Sequence, residues 1–162
     1  MYSGKTVEIN NTDAEGRLVL GDGVAYASKH LNPDVIIDIA TLTGAQLITT
    51  GKIHAGVVCN SDNGEAAIVA AGKASGDLCY PMLYAPELLP KLFDSPVADF
   101  KNSVSDRMNA QSSAAGHFVE SHLAADYKGD WIHVDIAGPA ETAKGRATGH
   151  GAALLYQFVK TF

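Results

Sequence analysis

Short apolar runs alternate along the chain with longer stretches in which apolar residues recur every three or four positions. That is the pattern of strands interleaved with helices. Val7-Glu8-Ile9 reads as a short strand with Ile9 facing a core. Leu18, Val19, Leu20, Val24, Ala25 and Ala27 then recur at helical spacing up to Lys29. Gly21 and Gly23 interrupt that helix at about 1 kcal/mol each, so a looser or bent helix is expected. Asn32-Pro33-Asp34 breaks the chain. Val35-Ile36-Ile37-Asp38-Ile39-Ala40 is a near-continuous apolar run, the mark of a buried, parallel strand. Thr41 to Ala45 follows as a second strand-to-helix turn, with Thr41 or Thr43 as a helix cap. Gly56 to Cys59 predicts a strand, and Asp62-Asn63-Gly64 a turn. Glu65 to Ser75 predicts a helix with Ala67, Ile68, Ala71 and Ala74 inward.

The second half is less regular. Pro81 to Pro96 is proline-rich, with a short helix around Glu87 to Phe93. Ala98 to Asn102 is extended, and Arg107 to Ser113 a polar loop near the mouth of the site. Ser112 to Ala125 forms a helix capped by Ser112 or Ser113. Trp131 to Gly138 alternates, with Trp131, His133, Asp135 and Ala137 on one face. Ala152 to Val159 closes the chain as a helix. His117 and His122 lie five apart on their helix and so face different ways, unlike an i, i+4 metal pair. His133 and Asp135 read as a hydrogen-bonded structural pair.

Composition narrows the class. The 162 residues fit one domain with a sizeable core, and 46% hydrophobic content suits a globular α/β protein. The net charge of −6 argues against a nucleic-acid partner held through phosphate neutralisation. No apolar run approaches the roughly 20 residues that span a bilayer, so no membrane partner is expected. There is no basic-then-apolar leader, and Cys59 and Cys79 read as buried free thiols, so a cytoplasmic location is expected.

Candidate chemistry concentrates in Asn11-Thr12-Asp13-Ala14-Glu15-Gly16-Arg17-Leu18, on the first strand-to-helix turn. In an extended turn, residues two apart point the same way. Two carboxylates held side by side repel, so one keeps a proton or a cation lies between them. A divalent metal with oxygen ligands resolves that conflict. The bland alternative has Asp13 capping the helix and Glu15 sitting favourably in its first turn. Arg17 offers a planar, permanently charged fork suited to an oxyanion.

The full octapeptide resembles the signature of the leucine aminopeptidase (cytosol aminopeptidase) family of metallopeptidases. Asp38-Ile39-Ala40-Thr41-Leu42-Thr43-Gly44-Ala45, Trp131 to Gly138, and Thr148-Gly149-His150-Gly151 resemble the same family. Tyr2 to Glu8 and Lys101-Asn102-Ser103-Val104 bring the resemblance nearest to its probable aminopeptidase-like branch. The resemblance implies a three-layer helix/sheet/helix fold with a mixed, mostly parallel sheet, truncated on its N-terminal side. Residues 1–162 would then be the C-terminal portion of a catalytic domain, since the chain opens straight into a strand. It implies hydrolysis of the N-terminal residue from peptides by two divalent ions, zinc or manganese, with a bridging water as nucleophile. Asp13 and Glu15 match metal ligands, and Arg17 the catalytic arginine, with bicarbonate as its guest. Thr41, Leu42, Gly44, Ala137 and Ala140 match the slot for the first side chain. Family members often carry methionine near the Ala140 position, so a wider slot is expected here. A hexamer and docking against the remainder of the catalytic domain are also implied. The family's other ligands, a lysine and two further aspartates, have no counterpart before Asn11, and Lys5 stands in the wrong context. The chain alone is therefore expected to be inactive. A non-catalytic relative serving as a binding or assembly module is the alternative.

Overall fold

The computed structural model describes residues 1–161. Strands β1 (Val7–Glu8), β2 (Val35–Ala40), β3 (Ala55–Cys59), β4 (Cys79–Pro81), β5 (Phe100–Lys101) and β6 (Asp130–Asp135) interleave with five α-helices. These are α1 (Gly16–Tyr26), α2 (Gln46–Thr49), α3 (Asp62–Ser75), α4 (Gln111–Glu120) and α5 (Ala152–Thr161). The main sheet runs β2-β6-β3-β4. β2 pairs parallel to β6, and β3 parallel to β4, while β3 and β6 are antiparallel. β1 and β5 form a separate parallel pair, with Val7 opposite Phe100 and Glu8 opposite Lys101.

Helices cover both faces, which gives the expected three layers. Ile132, Val134, Val57, Ile68, Leu154 and Phe158 form the core on the α3/α5 side. Trp131, Val58, Ile36, Val24 and Val119 form the core on the α1/α4 side. β6 and β3 contribute to both, because alternate side chains point to opposite faces. Phe93, Val104, Ala114 and Phe118 make a third cluster beneath β1 and β5.

Several local expectations are corrected. Ile9 is exposed, because β1 is only two residues long and ends before it. β2 lies at the edge of the sheet, so Val35, Ile37 and Ile39 are only half-buried. α3 starts at Asp62, three residues early, because Ser61 caps it by accepting the Gly64 N–H at 3.2 Å. Ala74 is exposed, and Gly64 and Gly72 join Ile68 and Ala71 on the inner face. Neither Ser112 nor Ser113 caps α4. Both are buried within it, and Ala110, at φ 43°, precedes the helix. α1 runs through both glycines to Tyr26 and continues as a π-helical turn over Ala27–Leu31.

Candidate active site

The turn carrying the acidic pair is fixed by its neighbours rather than by its own carboxylates. Asn11 accepts the Asp13 N–H through its side chain at 3.0 Å and caps the 3₁₀ turn Thr12–Ala14. Asp13 therefore does not cap α1; it lies inside a 3₁₀ turn that Asn11 caps. Glu15 stands at the N-cap of α1 without a side-chain hydrogen bond. Asp13 and Glu15 are both exposed, and neither carboxylate has a partner among the described residues.

Arg17 behaves differently. It is 6% exposed, and its Nη1 donates to the Asn102 carbonyl at 2.9 Å. Its Nε is buried and unbonded. Phe93 packs 5.7 Å below the guanidinium carbon. Burial pulls the guanidinium below its ordinary pKa, and the charge of Asp135 opposes that shift. An arginine stays ionised throughout, so a desolvated cation follows, within four positions, two exposed carboxylate side chains without partners among the described residues.

Two of the predicted slot residues, Leu42 and Ala137, meet at one buried carboxylate. Asp135 Oδ1 accepts the Leu42 N–H at 3.0 Å and the Ala137 N–H at 3.1 Å. Its Oδ2 accepts the Thr43 hydroxyl at 2.7 Å. The Thr43 hydroxyl in turn lies 2.8 Å from Ser112 Oγ and accepts the Gln46 N–H at 3.2 Å. Gln46 Oε1 takes the Gly138 N–H at 2.5 Å. The loops after the parallel strands β2 and β6 are thus tied together at the carboxyl end of the sheet, where α/β folds bind ligands. Thr41 and Gly44 are exposed there, while Leu42, Ala137 and Ala140 are half-buried. A Cβ built on Gly16 would lie 3.4 Å from Leu42 Cδ1, which places Leu42 against the start of α1.

Other candidates resolve as structure. His133 does not pair with Asp135. Its Nδ1 lies 2.5 Å from Asp38 Oδ1, while Trp131 Nε1 donates to Asp38 Oδ2 at 2.8 Å. Burial disfavours a charged His133, but the charge and hydrogen bond of Asp38 outweigh it and raise its pKa. His117 bonds Glu120 at 2.7 Å and accepts the Ala85 N–H at 3.0 Å, whereas His122 bonds Ser3 at 2.8 Å. Lys5 donates to the Ser121 carbonyl and lies over Phe100. Among the described residues no group of three His, Cys, Asp or Glu side chains is placed to hold a metal. A polar cavity of about 610 Å³ lined by Tyr2, Lys5, Lys29 and His122 includes none of the predicted site residues. The sequence pattern does not mark Asn102 or Asp135 as site residues. Their only signals are that Asn102 lies in a segment resembling the family and that Asp135 alternates with His133 on one strand face.

Fold and site together define an α/β protein with charged groups gathered at the carboxyl ends of its parallel strands. The model of the cytosol aminopeptidase family catalytic domain matches residues 1–156. The chain is 61% identical over 155 residues to "Probable aminopeptidase NPEPL1" of Homo sapiens, covering 96% of this chain and 29% of that protein. It is 51% identical over 156 residues to "Leucine aminopeptidase 1" of Caenorhabditis elegans, covering 96% and 32%. The leucyl aminopeptidase of Leishmania major, solved with actinonin, superposes with a TM-score of 0.96 at 49% identity, over 100% of this chain and 30% of that one. The apo enzyme of Trypanosoma brucei gives 0.96 at 51%, over 100% and 32%. The chain belongs to the cytosol aminopeptidase family, and it spans about a third of the length of these relatives.

Proposed function

We propose that residues 1–162 form the C-terminal portion of the catalytic domain of a metallo-aminopeptidase, which removes the first residue from peptides. The observation that carries this reading is the pairing of two partnerless carboxylates, Asp13 and Glu15, with a buried arginine whose Nε has no acceptor. Buried polar atoms are normally satisfied, so an orphaned guanidinium nitrogen at a charged turn asks for an anionic guest. The donor set of two exposed carboxylates suits divalent ions, zinc or manganese. When bound, such ions would polarise the scissile carbonyl and activate a bridging water. Asp13 and Glu15 would hold them, with the remaining ligands supplied by the rest of the catalytic domain. Arg17 would hold bicarbonate or the developing oxyanion by its free edge. Thr41, Leu42, Gly44, Ala137 and Ala140 would form a wide slot for the first side chain. The full-length protein would work as a hexamer in the cytoplasm.

With two ligands of its own, this chain should bind metal weakly and hydrolyse nothing by itself. The full-length protein should hydrolyse leucine p-nitroanilide when supplied with zinc or manganese. Asp13→Asn and Glu15→Gln should each cost more than about 100-fold in that activity, because a site short of a ligand loses its metal. Tight, stoichiometric zinc binding by the isolated chain in calorimetry would contradict the first expectation. An inert full-length protein with metal bound would favour the non-catalytic relative instead.

A further inference from the structure

We infer that Asn102 is a positioning residue of this site: its side-chain amide fixes the turn bearing Asp13 and Glu15, and its carbonyl fixes the guanidinium of Arg17. The inference rests on the metallo-aminopeptidase reading. Asn102 is fully buried, at 0% exposure. Its Oδ1 accepts the Asn10 N–H at 3.1 Å and the Asn11 N–H at 3.2 Å. Its Nδ2 donates to the Asn11 carbonyl at 2.6 Å and to the Ala14 carbonyl at 3.2 Å. Both donors and both lone pairs of the amide are thereby used. Those four bonds clamp the backbone on either side of Asp13 and reach the residue before Glu15. The Asn102 carbonyl receives Arg17 Nη1, while the buried Nε is left without an acceptor.

The frame delivering Asn102 explains the two-residue sheet. β5 pairs with β1, and the Asn102 N–H continues that ladder to the Glu8 carbonyl at 2.9 Å. Ser103 and Asn10 then bond reciprocally, N–H to Oδ1 at 3.0 Å and Nδ2–H to carbonyl at 3.1 Å. One residue, through its side-chain amide on one side and its backbone carbonyl on the other, thus ties together the anionic and cationic halves of the site. Aspartate in its place would turn a carboxylate oxygen toward the Asn11 and Ala14 carbonyls. Glutamine would need a further methylene in a space already filled.

The test uses the full-length polypeptide carrying this chain, with Asn102→Asp compared against Ile68→Ala. Ile68 is buried in the core on the α3 side, so Ile68→Ala reports general loss of stability. Manganese affinity is read by calorimetry, and kcat and KM on leucine p-nitroanilide at saturating manganese. N102D should lose about 10–100-fold in manganese affinity and a similar factor in kcat, the loss typical of groups that orient metal ligands. KM should stay within about twofold. I68A should lower the melting temperature and leave all three unchanged. Unchanged affinity and kcat in N102D, or losses no larger than those of I68A, overturn the inference. If N102D does not fold, N102S, which keeps a hydroxyl and leaves room for water, decides on the same readouts with a threshold of about tenfold. A wild-type protein that binds manganese but hydrolyses nothing overturns the aminopeptidase reading, while the affinity comparison still judges Asn102. A wild-type protein that binds no manganese overturns both.

Discussion

At the scale of single residues, burial decides which groups carry charge. His122 is 0% exposed, with Nδ1 on Ser3 and Nε2 unbonded. Burial, reinforced by the charge of Lys5 and opposed by that of Asp22, lowers its pKa from 6.5 to about 4. The folded chain therefore keeps His122 neutral while the unfolded chain protonates it near pH 6.5. Between those values the unfolded state binds more protons, so stability rises with pH. Acidification from about pH 6.5 to 4 should remove about 3 kcal/mol from this group alone. Urea unfolding of His122→Gln across that range should show a shallower decline than wild type; parallel declines would remove the account. His133 acts in the opposite sense, because its raised pKa adds stability below the unfolded value and loses it as pH climbs. Asp13, Glu15 and Arg17 were legible as a linear motif, since their chemistry lies within five positions. Asn102 was not, because its partners Asn11 and Ala14 lie 91 and 88 positions away and no local pattern announces them.

At the scale of elements, α1 shows how packing overrides propensity. Gly21 and Gly23 are each unfavourable in a helix interior, yet the helix runs through both. Gly21 is buried, and a Cβ there would lie 2.8 Å from the His122 ring and 3.0 Å from Met1. A Cβ built on Gly23 would meet nothing within 4 Å. Gly23→Ala should therefore stabilise by about 0.5–1 kcal/mol. Gly21→Ala should destabilise by about 1–3 kcal/mol despite the same change in propensity, because the ring it meets is buried. Thermal unfolding of the two single variants checks both signs, and G21A at or above wild-type stability would refute the packing account. The sequence pattern located most strands and helices, but not where they stop, and it missed β4, whose three residues run into the proline-rich stretch. Ala110 in a left-handed conformation could not be anticipated from serines that resemble caps. Nor does apolar content separate an edge strand from a central one, as β2 illustrates.

At the scale of the whole molecule, the open side of β2 dominates. Asp130 and Ile136 donate to the carbonyls of Asp34 and Ala40, so by alternation Val35, Ile37 and Ile39 turn their backbone groups away from β6. Apolar grooves flank that edge on both faces, one of about 400 Å³ against α1 and one of about 300 Å³ against Phe158 and Val159. In isolation the chain should self-associate as its concentration rises, and Val35→Lys should keep it monomeric to higher concentration in sedimentation velocity. Concentration-independent monomers of wild type would contradict this. Among the described residues no helix is long and apolar enough to cross a membrane. The alternation of strands and helices was legible because their periods differ, and the three layers followed from the family resemblance; that β2 is the strand left at the edge was not legible, since strand order depends on pairings distant in sequence. At the opposite side, Asp77 Oδ2 accepts the N–H groups of Gly151, Ala153 and Leu154 at 2.9–3.2 Å. The closing helix therefore takes its cap from the middle of the chain. Any graft, circular permutation or exchange of that tail between relatives must carry a matching acidic residue at the α3–β4 junction, or the transplanted segment arrives with its first turn unsealed.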